Sequence, residues 1–472
     1  MRLKKPTYLK EVLVSDYAAE GKSLAKVDGK VIFITGAVPG DVVDVLLKKN
    51  KKDWAEADIV HFHSYSSSRT TPFCAHFGVC GGCKWQMLPY EAQLSYKQNE
   101  VEQHLHRIGK IELPVIQPII GSELTRLYRN KLEFTFSNKR YYTKEEFEQR
   151  NGEAAGPALG FHIPRWFDKV IEIDECHLQA EPSNAIRNTV REIALREGYS
   201  FYDIRNHEGW LRNLIVRTST TGEVMVNICV GYHDKDQTRL LCNELLAKIP
   251  AITTLLYTVN SKFNDTIFDL EPVIYFGKGF IIENLGKYQY KIGPKSFFQT
   301  NSYQAATLYS VARDFAELSG KETLYDLYCG TGSIGIFMSG DAGKVIGVEV
   351  IDAAVKDARE NALLNNISED KAQFFTGDVV DICDATFFEF HGKPEVIITD
   401  PPRAGMHEKL VKTLLAIEAP LIVYVSCNPA TQARDLQLLD EKYQVTKIQP
   451  VDMFPHTHHI ENVVQLKIKQ NF

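Results

Sequence analysis

Hydrophobic and polar positions fall into three rhythms along the chain. Up to about residue 62, short β-like runs alternate with glycine turns. Residues 31–34 and 42–47 are two such runs, split by Ala37-Val38-Pro39-Gly40-Asp41. Several short strands in so little chain predict a small barrel of the OB type. From about 125 to 290 the pattern is mixed, with period-two runs at 132–136 and 224–230, and with loops marked by Asn151-Gly152 and Ala155-Gly156-Pro157. A helical pattern over 92–108 precedes it, with Leu94, Val101, Leu105 and Ile108 available for one face. Beyond 321, strand and helix alternate. Strands are predicted at 323–328, 345–349, 396–399, 421–425 and 463–468, and helices over 302–318 and 407–418. This order predicts an α/β doubly wound, Rossmann-like sheet. The expected division is a barrel over 1–62, a central β-rich domain over 63–290 and a cofactor domain over 291–472. The stretch from about 92 to 120 is free to pack on the last of these.

Composition narrows the class. The chain has 472 residues, is 44% hydrophobic and 24% charged, and carries a net charge of −6. These values fit a soluble globular protein, and no apolar run approaches the roughly 20 residues of a membrane span. A basic start without an apolar core behind it reads as cytoplasmic, with no membrane partner. The charge is uneven: residues 1–52 hold eleven Lys/Arg against six Asp/Glu, with Lys48, Lys49, Lys51 and Lys52 clustered. Such a patch suits phosphates. In the central region Arg129, Lys131, Arg205 and Arg212 are expected mainly on the solvated surface.

Nine cysteines in a cytoplasmic chain point to metal binding or catalysis rather than disulfides. Cys74, Cys80 and Cys83 form C-x5-C-x2-C, with Gly81-Gly82 letting the last pair turn tightly. A fourth ligand is needed, either Cys176 or His76. A thiolate cage suits zinc or an iron–sulfur cluster, and spacing alone does not choose.

Cys427 follows the apolar run 421–425 and precedes Asn428-Pro429, so it caps a strand at the edge where open α/β sheets bind ligands. There it reads either as a nucleophile or as a small buried hydrophobe. Asp400-Pro401-Pro402-Arg403 ends the preceding strand, putting Asp400 at the same edge. Asp326-Leu327-Tyr328-Cys329-Gly330-Thr331-Gly332 is a glycine turn opening a helix, and Glu349 ends the next strand 19 residues after Gly330. That spacing suits a carboxylate on ribose hydroxyls. Gly377-Asp378 follows the third strand. Lys295-Ser296-Phe297-Phe298-Gln299 offers an aromatic wall and an amide at a helix entry. Glu461 lies just ahead of the final strand. His456, His458 and His459 lack the pattern of a metal site.

The Gly21, Leu24-Ala25 and Val38-Pro39-Gly40-Asp41 stretch resembles a TRAM domain. The Asp326 to Gly335 loop resembles that of S-adenosyl-L-methionine methyltransferases. Phe298-Gln299-x-Asn301, Asp400-Pro401-Pro402-Arg403, Ser426-Cys427-Asn428-Pro429 and His459-Ile460-Glu461-Asn462 complete a set that resembles the RNA (uracil-5-)-methyltransferase family, the RumA/TrmA group. The resemblance implies methylation of uridine carbon 5 in RNA, with ribosomal RNA, 23S, as the first substrate. It implies Cys427 as nucleophile and Glu461 as base. Gln299, Tyr328, Gly330, Glu349, Asp378 and Asp400 are implied around the cofactor and uracil, with Tyr328 and Ser333 departing from the family pattern in the cofactor loop. Cys74, Cys80, Cys83 and Cys176 are similar to the [4Fe–4S] set of the ribosomal branch, with zinc as the alternative. A monomer is expected. Two rivals stay open: methylation of transfer-RNA uridine or an exocyclic amine, and a non-catalytic RNA-binding assembly factor.

Overall fold

The computed structural model describes residues 6–150 and 156–470. Residues 1–5 and the Asn151-Gly152 and Ala155 loop marks lie outside that range. Three large sheets follow one another along the chain, with a two-stranded hairpin, Ile281–Leu285 and Tyr288–Ile292, between the second and the third.

The first is a six-stranded barrel sheet, ordered Tyr8–Leu13, Val42–Asn50, Trp54–Ser64, Lys30–Thr35, Ser23–Val27, Asp16–Tyr17. Alternation drives it: Ala25, Ile32, Ile34, Val43, Val45, Ala55 and Ala57 point inward and form its core. Leu24, Lys26, Phe33 and Glu56 take the outward positions between them.

The second sheet has eight strands and is built around Leu211–Thr218 and Val224–Val230. Both central strands are buried nearly throughout, because the helices Ser183–Arg196 and Lys235–Lys248 pack on the same core. Burial overturns the surface reading of Arg212. It is 1% exposed, and donates to the carbonyls of Asn260 and Asn264 and to Asp265. A buried guanidinium needs hydrogen-bond partners, and one loop meets both of its terminal nitrogens while Nε has none.

The third sheet carries the site. Its order is Ala372–Thr376, Lys344–Glu349, Thr323–Leu327, Val396–Thr399, Leu421–Ser426, Glu461–Ile468, Tyr443–Val451. The first five strands are parallel; the last two form an antiparallel hairpin. The order reverses at Thr323–Leu327, so the strand ends there open a crevice.

The helix Tyr90–His104 precedes the central sheet in sequence yet packs on the third domain. Val101 and Leu105 share a core with Ala433 and Leu436 of the helix Pro429–Leu439. Val101 and Leu105 are buried as expected, but Gln93 and Lys97 complete the buried stripe in place of Leu94, which is half-buried, and Ile108, which is exposed. The two polar members are buried because both find partners. Gln93 donates to the carbonyls of Trp85 and Leu88, and Lys97 Nζ sits 2.6 Å from Asp452 Oδ1.

Candidate active site

Cys427 follows the strand Leu421–Ser426, where Asn428 caps the next helix and Pro429 opens it. Ser426 pairs with Asn462 of the neighbouring antiparallel strand. Continuing that register sets Cys427 opposite Glu461, and residues opposite one another across such a pair share a face. Glu461 is the first residue of its strand rather than a residue ahead of it, and it is 5% exposed. Asp400 follows the adjacent parallel strand Val396–Thr399. Cys427, Asp400 and Glu461 therefore meet at one sheet edge.

Electrostatics binds these groups together. Burial, Glu461 and Asp400 push the Cys427 thiol up to about 12, while Arg403 pulls it down. Burial lifts Asp400 to about 7. Burial and Asp400 hold Glu461 well above the carboxylate range, against the pull of Arg403. Two carboxyls that close, away from water, do not both ionise readily. Arg403 is the residue that its motif leaves without a role. It donates to His459 Nδ1 at 2.9 Å, and its carbonyl accepts from Asn428 Nδ2 at 3.0 Å. Burial pushes His459 down to about 3, so its ring is neutral and free to accept. Arg403, Cys427, Lys84, His104 and His459 line a cavity of about 520 Å³.

The loop after Thr323–Leu327 forms the other half of the site. Tyr328, Gly330 and Gly332 all take positive φ, at 63°, 54° and 76°. Gly330 needs that freedom, and the space beside it is open. Its N–H donates to Glu349 Oε2 at 3.1 Å. Asp378 caps a short turn through Val380 N, and its charge bears on the half-buried Tyr328. Asp326 is fully buried beneath the loop, accepts from Gly335 N at 2.8 Å, and is pushed up to about 7 by burial. Its second oxygen has no partner. The geometry suits a ligand with a ribose, and the buried carboxyl with its spare oxygen suits a cationic group near it. Phe298 belongs to the core, whereas Phe297 is 73% exposed and its carbonyl faces Thr331 of the loop. Gln299 follows, its carbonyl fixed by Asn130.

Away from this site, Cys74, Cys80, Cys83 and Cys176 line one cavity of about 560 Å³. A Cβ on Gly81 would come within 2.9 Å of Pro164 Cγ, so only glycine fits that turn. Burial pushes Cys80 up to about 12 and Cys83 up to about 11. Such thiols hold their protons unless a cationic centre is present. His76, the alternative ligand, accepts from Asp174 N at 3.1 Å through Nε2. Among the described residues, no group of three or more His, Cys, Asp or Glu closes on a single ion.

Comparison with known proteins agrees with these features. Residues 273–469 match the family model of tRNA (uracil-5-)-methyltransferases, and residues 9–60 match the TRAM domain. A Bacteroides thetaiotaomicron protein described as an uncharacterized RNA methyltransferase is 54% identical, covering 96% of this chain and 100% of its own. A Porphyromonas gingivalis protein of the same description is 50% identical, over 96% of this chain and 98% of its own. Among solved structures, a Pyrococcus abyssi tRNA (uracil-54, C5)-methyltransferase in complex with S-adenosyl-L-homocysteine is 28% identical. It covers 97% of this chain and 100% of its own, with a TM-score of 0.72.

Proposed function

This chain belongs to the RNA (uracil-5-)-methyltransferase family, and on that premise we propose that Cys427 and Glu461 methylate carbon 5 of a uridine in RNA by covalent catalysis. The observation that carries the reading is the placement of a thiol and a carboxyl opposite one another across a strand end, beside Asp400. Carbon 5 of uracil is a poor nucleophile. The Cys427 thiolate adds to carbon 6, and the ring becomes an enolate whose carbon 5 can accept a methyl group. Gln299, Tyr328, Gly330, Glu349, Asp378 and Asp400 would hold S-adenosyl-L-methionine, whose sulfonium would supply that methyl group and leave as a neutral thioether. Carbon 5 then still bears a proton. Glu461 removes it, the ring electrons return, and the carbon–sulfur bond breaks to free the Cys427 thiolate. A raised carboxyl pKa makes Glu461 a stronger base than a solvated glutamate. Arg403 keeps both the thiolate and the carboxylate accessible. A paired base must be extruded to reach this edge.

The cysteine cage holds a [4Fe–4S] cluster in this reading. Four thiols around one cavity, with Gly81 admitting the tight turn, support four-cysteine ligation. The cluster would tie residues 74–83 to the central sheet at Cys176 and carry no step of the reaction.

The substrate we propose is 23S ribosomal RNA, on the likeness of the cysteine set to the ribosomal branch. A second reading, a transfer-RNA uridine, is favoured by the Pyrococcus abyssi likeness. Mapping 5-methyluridine in ribosomal and transfer RNA from a strain lacking this chain tests both. A mark lost from 23S RNA alone supports the first. A mark lost from transfer RNA alone overturns it in favour of the second.

A further inference from the structure

Three cavities run in series from the barrel to Cys427. The first, about 470 Å³, lies on the outer face of the barrel and is lined by Phe33 with Lys22, Lys48, Lys49 and Arg165. The second, about 1110 Å³, is the cleft between the barrel and the helix Tyr90–His104. The third is the cavity of about 520 Å³ that holds Cys427. They share walls. Phe33 lines the first and the second, and Ala19, Glu100 and His104 line the second and the third.

Aromatic rings recur along this path, and a surplus of positive charge marks its outer end. Phe33 faces outward because the barrel strand alternates, with Ile32 and Ile34 turned into the core. Trp54, on the adjoining strand, meets Phe33 edge-on at 6.2 Å between ring centroids. Further along, Tyr17 and Tyr96 bring one ring from the barrel and one from the helix to 4.1 Å across the cleft. Cations flank the rings. The first cavity sets four cations against the carboxylates Glu56 and Asp58, a surplus of two. Lys26 and Arg107 follow in the cleft, where Asp16 and Glu100 balance them. Partly exposed rings beside the positive surplus of the first cavity are what an unpaired nucleic-acid strand recognises: bases stack and phosphates pair.

We propose that the unpaired RNA segment flanking the target uridine leaves the Cys427 cavity through the cleft beside the helix Tyr90–His104 and crosses the barrel at Phe33. The inference rests on the RNA-methylating reading of the Cys427 site. It names what that reading leaves open, the conformation of the substrate and its route. The enzyme then selects a single-stranded flank as well as a uridine. The helix Tyr90–His104 is one wall of the RNA path, although it packs on the cofactor domain.

The test uses the full-length holoprotein and a twelve-residue oligoribonucleotide with 4-thiouridine scattered through it. Ultraviolet cross-linking should mark peptides containing Phe33, Trp54 and Tyr96. Phe33→Ala should weaken binding of that oligomer about tenfold, the scale of one base–ring stack removed. It should leave the affinity for S-adenosyl-L-methionine unchanged. Phe33→Leu keeps the apolar volume, so it should fold and still show most of the weakening. A blunt duplex of the same sequence should bind more weakly than the single strand. Cross-links confined to the central sheet, or Phe33→Ala and Phe33→Leu both binding within twofold of the native chain, would overturn the route. Cross-links on the track from a chain that transfers no methyl group to uridine would keep the route and sink the reaction reading.

Discussion

Cys427 and Glu461 stand opposite one another at the open end of an antiparallel pair, one step beyond the register partners Ser426 and Asn462. A parallel sheet alone would not produce this. The last strand of the chain, Glu461–Ile468, runs against the other strands, so its start lies beside the end of Leu421–Ser426. A base and a nucleophile from opposite ends of two strands thereby share one edge.

This arrangement sets the pH dependence. The reacting form of Cys427 is the thiolate, and burial with Glu461 and Asp400 pushes its pKa up to about 12. The reacting form of Glu461 is the carboxylate, whose pKa is raised by burial and Asp400. Both groups must lose a proton, so both limbs point the same way. Turnover should climb from pH 6 to pH 9, by up to about tenfold per unit where thiolate formation limits. Arg403→Gln removes the cation that lowers both groups, and should cut turnover at pH 7 more than at pH 9. Steady-state formation of free methylated RNA measured across this range checks it. A profile that falls above pH 8 would contradict it.

The loop ahead of Glu461 is anchored by a buried ion pair. Lys97 and Asp452 are both 0% exposed and 2.6 Å apart, with Tyr90 donating to the second oxygen of Asp452. Removing one partner leaves a buried charge alone. Lys97→Met or Asp452→Asn should cost about 3–5 kcal/mol of stability in urea unfolding. The double replacement should cost less than the sum of the two singles. Additive losses would show that the pair is not coupled.

Much of the candidate site is legible along the chain, because strand ends and glycine turns are local signals. Cys427 and Asp400 follow from apolar runs stopped by proline, and Glu349 from its spacing to Gly330. What stays hidden depends on distant pairing. Lys97 looks like a solvent-facing helix residue until Asp452, 355 positions away, is brought beside it. Arg212 looks like a surface cation until the 260–265 loop folds over it. The facing of Cys427 and Glu461 needs the register of a hairpin, which neither stretch encodes alone. Arg403 is visible in its motif, but its effect on the thiol and carboxyl is not.

The basic cluster of the barrel is less free than its sequence suggests. Lys48 pairs with Asp58 and Lys49 with Glu56. Lys51 and Lys52 are exposed and pair with no carboxylate among the described residues. Lys51→Ala and Lys52→Ala together should flatten the slope of log affinity against log salt by roughly 1.4, about 0.7 for each single-strand phosphate that is no longer neutralised. Filter binding over a salt series reads the slope directly. An unchanged slope would remove these lysines from the RNA interface.

The cysteine cage predicts a colour. Chain prepared without oxygen should be brown and carry about four irons, and Cys176→Ser should lose them. Metal analysis settles the matter. Stoichiometric zinc without iron would refute the cluster and leave the cage as a structural zinc site.

The covalent step is the central claim, and denaturing electrophoresis of enzyme with labelled RNA tests it most directly. Glu461→Gln keeps the thiol but has no base, so it should accumulate a methylated RNA–protein adduct. Substrate carrying 5-fluorouracil should trap the native chain in the same way, because fluorine cannot leave as a cation. Cys427→Ala should form neither adduct and transfer no methyl group. An adduct with 5-fluorouracil RNA that persists in Cys427→Ala would place the nucleophile elsewhere and contradict the account.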